Sequence, residues 1–125
     1  MVTDGPVELL TQYWDHLEND EWEAAAARFA EDCAYFHPPI HEGIDAVYGR
    51  DNLVTYFREA RGPRNSEHIV DHTVVEGDSA VVMGRAVGPD VDGVHVFGVY
   101  VTAGPDGISY YSSVNREHSD DYSLP

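Results

Sequence analysis

The stretch FAEDCAYFHPPIHEGIDAVYGRDNLVTYFREARG, Phe29 to Gly62, changes periodicity twice, and those changes decide the fold. Just upstream, Asp20 followed by Glu23 matches a capping box. Trp22, Ala25, Ala26 and Phe29 then recur at i, i+3, i+4 and i+7, which predicts a second helix that Phe29-Ala30-Glu31-Asp32 closes. Cys33 to Phe36 alternates and carries aromatics, as a short strand does. Pro38 and Pro39 cannot donate ladder hydrogen bonds and end it, leaving His37 at its rim. Gly43 to Gly49 reads as a loop or a second short strand. Asp51 can cap a third helix in which Leu53, Tyr56, Phe57 and Ala60 form the buried stripe, with Gly62 and Pro63 terminating it.

Working outward, Val7, Leu10, Trp14 and Leu17 fall at helical spacing behind Pro6, which predicts a first helix. Beyond Pro63 the period becomes that of strands. His68 to Val75, Ala80 to Val87, Val94 to Ala103 and Ile108 to Arg116 are β-branched or aromatic, and EGDS, GPDVDG and GPDG between them are turn chemistry. Helices first and an antiparallel meander afterwards imply an α+β fold, with the helices on one sheet face. One domain over residues 1–118 is expected, followed by a polar, frayed tail over 119–125.

Composition narrows the function. The 125 residues carry 23 acidic and 7 basic side chains, for a net charge of −16, and every basic one is arginine. Such a surface repels nucleic acid and anionic membranes, so neither is expected as a partner. It resembles that of cytoplasmic proteins from salt-accumulating halophiles, in which screening relieves the crowding of carboxylates. Cys33 is the only cysteine, so no intrachain disulfide exists, and no apolar run is long enough for a membrane span or signal region. A soluble, cytoplasmic protein is expected.

With this order of elements, the quoted stretch resembles the NTF2-like superfamily in its SnoaL-like and ketosteroid-isomerase-like branches. Phe29-Ala30-Glu31-Asp32, the strand ending in His37-Pro38, the Gly49-Arg50-Asp51 helix entry and EGDSAVV carry the likeness. The resemblance implies a cone, in which a strongly bent, mostly antiparallel sheet wraps three N-terminal helices around a cavity, and it implies a homodimer. It does not fix function, because the cone hosts isomerases, dehydratases, cyclases, hydrolases and non-enzymes.

Against the ketosteroid isomerases, Tyr13 matches an oxyanion-binding tyrosine and His37 the aspartate base, while Val99 stands where a second oxyanion donor would be. A steroid isomerase is therefore not expected. Against the scytalone-dehydratase-like relatives, His68 matches a catalytic histidine and Glu18 the acidic residue that orients it. Leu17 replaces a tyrosine of those enzymes, and no second catalytic histidine lies between Ala80 and Val87. The arginine and aspartate that limonene epoxide hydrolases carry two apart on one strand have no counterpart. The cone implies that Tyr35, Tyr56, Phe57, Phe97, Val99 and Ser112 line the ligand site.

These residues also admit bland readings. His37 can be a strand-end histidine bonded to a backbone carbonyl, Tyr13 a core tyrosine, and Glu18 with His68 a structural link between helix and sheet. His37 and His41, and His68 and His72, invite a metal reading. Residues four apart on a strand are about 13 Å apart, too far to share an ion, so no metal and no cofactor are expected. Two functions remain open. One is a cofactor-free isomerase, dehydratase or cyclase, with His37 or His68 as acid/base, acting on a small apolar carbonyl compound; the other is a non-catalytic small-molecule binding domain.

Overall fold

The computed structural model describes residues 5–38, 45–63, 65–91 and 94–118. His41, the end of the GPDVDG turn and the expected tail over 119–125 lie outside these residues. Helix α1 (Pro6–Glu18) starts behind an extended Gly5 and buries Leu9, Leu10, Tyr13, Trp14 and Leu17. Helix α2 (Trp22–Ala26) is only five residues long. The capping-box expectation fails because Asp20 has φ +59, inside a tight turn in which its N–H bonds back to the Leu17 carbonyl. Glu21 takes the N-cap position and makes no side-chain cap bond.

Phe29 does not close that helix but opens strand β1 (Phe29–Phe36), because a partner strand is available: Phe29 pairs in parallel with Ile108. Strand β2 (Ala46–Tyr48) returns antiparallel to β1. Gly49, at φ +88, turns the chain into helix α3 (Arg50–Thr55), with Asp51 in its first turn and not at its cap. That helix continues as a π-helical segment over Tyr56–Arg61, closed by a bond from the Gly62 N–H to the Phe57 carbonyl at 2.9 Å. A wide turn of this kind is unusual in a helix and recurs at functional sites.

The meander follows as β3 (Glu67–Glu76), β4 (Ser79–Val87), β5 (Val94–Gly104) and β6 (Gly107–His118). The six strands form one sheet in the order β2-β1-β6-β5-β4-β3, antiparallel throughout except for β1 beside β6. A register shift between Val70 and His72 marks a bulge in β3, and bulges bend strands. Opposite it sits Gly84, where an added Cβ would lie 1.9 Å from the Ile69 carbonyl oxygen. Only a glycine lets β3 and β4 approach so closely, so this residue permits the fold of the sheet around the helices.

The concave face carries Tyr35, Tyr111, Val101 and Ala80 in one cross-strand row. Tyr13, Phe29, Leu10, Leu53 and Phe57 are among the fully buried side chains that fill the space between helices and sheet. Tyr13 packs edge-on to Phe29 at 5.0 Å and against Phe57 at 5.5 Å, geometries that add to simple area burial. Among the described residues, no helix is long and apolar enough to cross a membrane.

Candidate functional site

The inner side of α1, the end of the π-helical segment and the concave faces of β1, β3, β4, β5 and β6 converge on a cavity of about 50 Å³. Alternation along β1 points Tyr35 and His37 into it, while Phe36 turns outward against Tyr48 and Tyr110. The same alternation puts Phe97 and Val99 of β5, and Tyr111 and Ser113 of β6, on the cavity wall.

The first polar feature is a carboxylate and an imidazole. Glu18, the last residue of α1, accepts the His68 main-chain N–H at 2.6 Å and its ring Nδ1–H at 3.1 Å through a single oxygen, Oε1. Burial alone raises the Glu18 carboxyl, but the two hydrogen bonds from His68 outweigh it and hold the group below its ordinary value. With Nδ1 donating to the carboxylate, the neutral ring keeps its lone pair on Nε2. Trp14 stacks flat on this imidazole, with centroids 4.6 Å apart and planes 5° from parallel, and Phe97 meets it edge-on at 5.4 Å. The ring is thereby fixed in orientation as well as in tautomer.

The second feature is a cluster of tyrosines. The Tyr13 and Tyr35 hydroxyls are hydrogen-bonded at 2.9 Å, and Tyr111 stacks on Tyr35 at 4.5 Å. Burial raises Tyr13 and Tyr35 well above the ordinary phenol value, and pushes Tyr111 up to about 12. These groups hold their protons and serve as donors. The Trp14 indole N–H is buried without a hydrogen-bond partner among the described residues, although it lies near enough to the Tyr111 hydroxyl to favour its anion.

Of the residues singled out by sequence, Tyr13, His37, His68, Tyr35, Phe97 and Val99 line the cavity, and Glu18 supports it from behind His68. His37 also bonds the Pro38 carbonyl through Nδ1 at 2.7 Å and lies parallel to Tyr35. Tyr56 and Phe57 are buried beneath the wall without lining it, and Ser112 falls on the opposite sheet face, between Tyr111 and Ser113. A strand shifted by one residue exchanges faces, which is why a serine on β6 was expected at 112 and stands at 113.

Sequence reasoning missed Trp14, Arg61, His95, Ser113 and Asn115, which also line the cavity. The alternation of β5 carried a signal for His95, two residues before Phe97 on the same face. Arg61 had none, because its position depends on the π-helical turn. Cys33 is buried, and burial raises its thiol, so it packs as an apolar side chain. Among the described residues no group of three or more His, Cys, Asp or Glu side chains converges as a metal site would require.

A bent sheet closed over helices around a polar-walled cavity defines the NTF2-like fold. The model of the SnoaL-like domain matches residues 10–109, and the chain belongs to that family. No curated protein matches the sequence. Solved structures share the fold: a candidate ketosteroid isomerase from Kribbella flavida DSM 17836 is 24% identical, with a TM-score of 0.69 over 94% of this chain and 80% of that one. A protein from Sphaerobacter thermophilus is 14% identical, with a TM-score of 0.73 over 93% of this chain and 100% of that one. TerC, co-crystallised with polyporic acid, is 13% identical, with a TM-score of 0.72 over 88% of this chain and 90% of that one.

Proposed function

We propose that the protein is a cofactor-free acid/base enzyme that moves a proton on the carbon next to a carbonyl group. The observation that carries this is the Glu18 to His68 pair opening on the same cavity as the Tyr13 to Tyr35 hydroxyl pair. His68 Nε2 takes the proton as the C–H bond breaks. The electron pair moves onto the carbonyl oxygen, where a tyrosine O–H donates to the developing oxyanion. Glu18 stabilises the imidazolium that forms, and return of the proton completes an isomerisation or exchange. His37, at the rim, is a second acid/base group for the returning proton.

Proton exchange into substrate is the direct readout. A panel of short ketones, diketones and oxo acids in heavy water, followed by proton NMR, should show exchange with the wild type that His68→Ala abolishes. Exchange equal in both proteins, or absent across the panel, would overturn the proposal. The cavity is small beside the roughly 300–1,000 Å³ of typical ligand sites, which favours a small substrate and supports the rival reading of a binding domain without turnover. Binding without exchange would establish that rival.

The outer sheet face supports a homodimer. Val81 and Met83 of β4, Tyr100 of β5, and Tyr110 and Val114 of β6 share that face and are exposed, Val114 at 69%. Contiguous apolar surface of this kind is covered in stable assemblies. Sedimentation in molar salt should give the dimer mass, and Met83→Glu should shift it to the monomer; a wild type sedimenting as a monomer would contradict the pairing.

A further inference from the structure

We infer that the ligand of this cavity is a short-chain oxo acid whose carboxylate is held by Arg61, and not a wholly apolar carbonyl compound, an inference that rests on reading the cavity as an acid/base site. The wall keeps several donors unspent. Two hydroxyls make the single bond between Tyr13 and Tyr35, so whichever of them accepts keeps its own proton for something else. The buried Trp14 N–H closes no hydrogen bond among the described residues, although the Tyr111 hydroxyl lies close to it. Arg61 uses one N–H on the Gly62 carbonyl, at 3.0 Å, and has further N–H donors to give.

Two acceptor oxygens beside the cavity are engaged, while His68 Nε2 stays open as the acid/base nitrogen. Glu18 Oε1 receives both His68 N–H groups, and the Asn115 side-chain oxygen receives the Ser113 hydroxyl at 3.2 Å. A ligand that completes this wall brings acceptor oxygens. Charge then chooses among such ligands. Among the described residues no carboxylate lies within ion-pair distance of Arg61, whereas Arg58 and Arg85 are paired with Glu23 and Asp71. The Arg61 charge reaches Glu18 and helps hold its carboxyl down, but among the described residues it closes no ion pair, so in a chain of net charge −16 it places a positive group on the cavity wall with donors still open. Its planar fork matches a carboxylate with two parallel hydrogen bonds.

Size narrows the class further. About 50 Å³ accommodates roughly three to five water-sized groups, enough for an oxo acid of about four carbons and too few for a fused-ring compound. Such an acid places its carboxylate on Arg61 and its carbonyl oxygen among the tyrosine hydroxyls, which leaves the carbon between them for His68.

The test compares acetoacetate with pentane-2,4-dione, which has the same heavy-atom skeleton but no charge at neutral pH. By calorimetry, the wild type should bind acetoacetate at least about tenfold more tightly, as a charge-assisted contact implies. Arg61→Gln should abolish that preference and Arg61→Lys should keep part of it, with near-ultraviolet circular dichroism confirming that both variants fold. Equal binding of the two probes, a preference that survives in Arg61→Gln, or binding of neither probe would overturn the inference. Proton exchange into the diketone that depends on His68 but not on Arg61 would sink the oxo acid alone. Arg61-dependent binding of acetoacetate without His68-dependent exchange would sink the catalytic proposal alone.

Discussion

Glu18 and His68 stand 50 residues apart in the chain, yet one carboxylate oxygen takes both the ring N–H and the main-chain N–H of the histidine. A contact that also engages the backbone fixes where β3 begins relative to the end of α1. Glu18→Gln should therefore cost about 1–3 kcal/mol in denaturant unfolding and abolish exchange as fully as His68→Ala does. If the pair were only structural, exchange would survive wherever the variant stays folded.

The same pair sets a response to acid. The folded Glu18 lies below its ordinary value of 4.5, so its stabilising contribution is complete above that pH and disappears as pH falls through the lower folded value. Wild-type unfolding midpoints should drop across that acid window more steeply than those of Glu18→Gln. Parallel acid limbs would mean that the carboxylate gains nothing from His68.

Alkali should act through the tyrosines. Tyr13, Tyr35, Tyr56 and Tyr111 are all raised above the ordinary value of 10, the last two to about 12. A raised folded value means that stability is complete below pH 10 and is lost as pH climbs through 10 toward 12 and beyond. Tyr13→Phe alone should cost about 1–3 kcal/mol by orphaning the Tyr35 hydroxyl, and Tyr35→Phe added to it should cost little more. Strictly additive losses would show that the hydroxyl pair is not coupled.

The bend of the sheet depends on one atom that is absent. Gly84→Ala would drive a Cβ into the Ile69 carbonyl oxygen and against the Phe97 ring, so about 3 kcal/mol or more should be lost. A neutral effect would mean that β3 and β4 can separate there without disturbing the cavity.

Salt should stabilise the whole molecule. With a net charge of −16 and no lysine, screening by molar KCl should raise the unfolding midpoint well above its value in dilute buffer. Equal midpoints at the two salt concentrations would remove the likeness to halophile surfaces.

Local chemistry in the sequence determined α1, the four long strands and the α+β class, because Leu10, Trp14 and Leu17 keep one period and Ala80 to Val87 or Val94 to Ala103 another. It also determined the acidic surface, whereas Glu18, His68, Tyr13 and Tyr35 became candidates only through the resemblance to the NTF2-like superfamily. What lay between Trp22 and Asp32 was decided by tertiary structure. The helical spacing through Phe29 was real, but β6 offered hydrogen bonds that a helix end could not match. The π-helical turn that brings Arg61 to the cavity, the face on which Ser113 replaces Ser112, and the stacking of Trp14 on His68 were likewise settled only by packing. Each joins groups distant in the chain or turns on a shift of one residue, and neither leaves a periodicity to read.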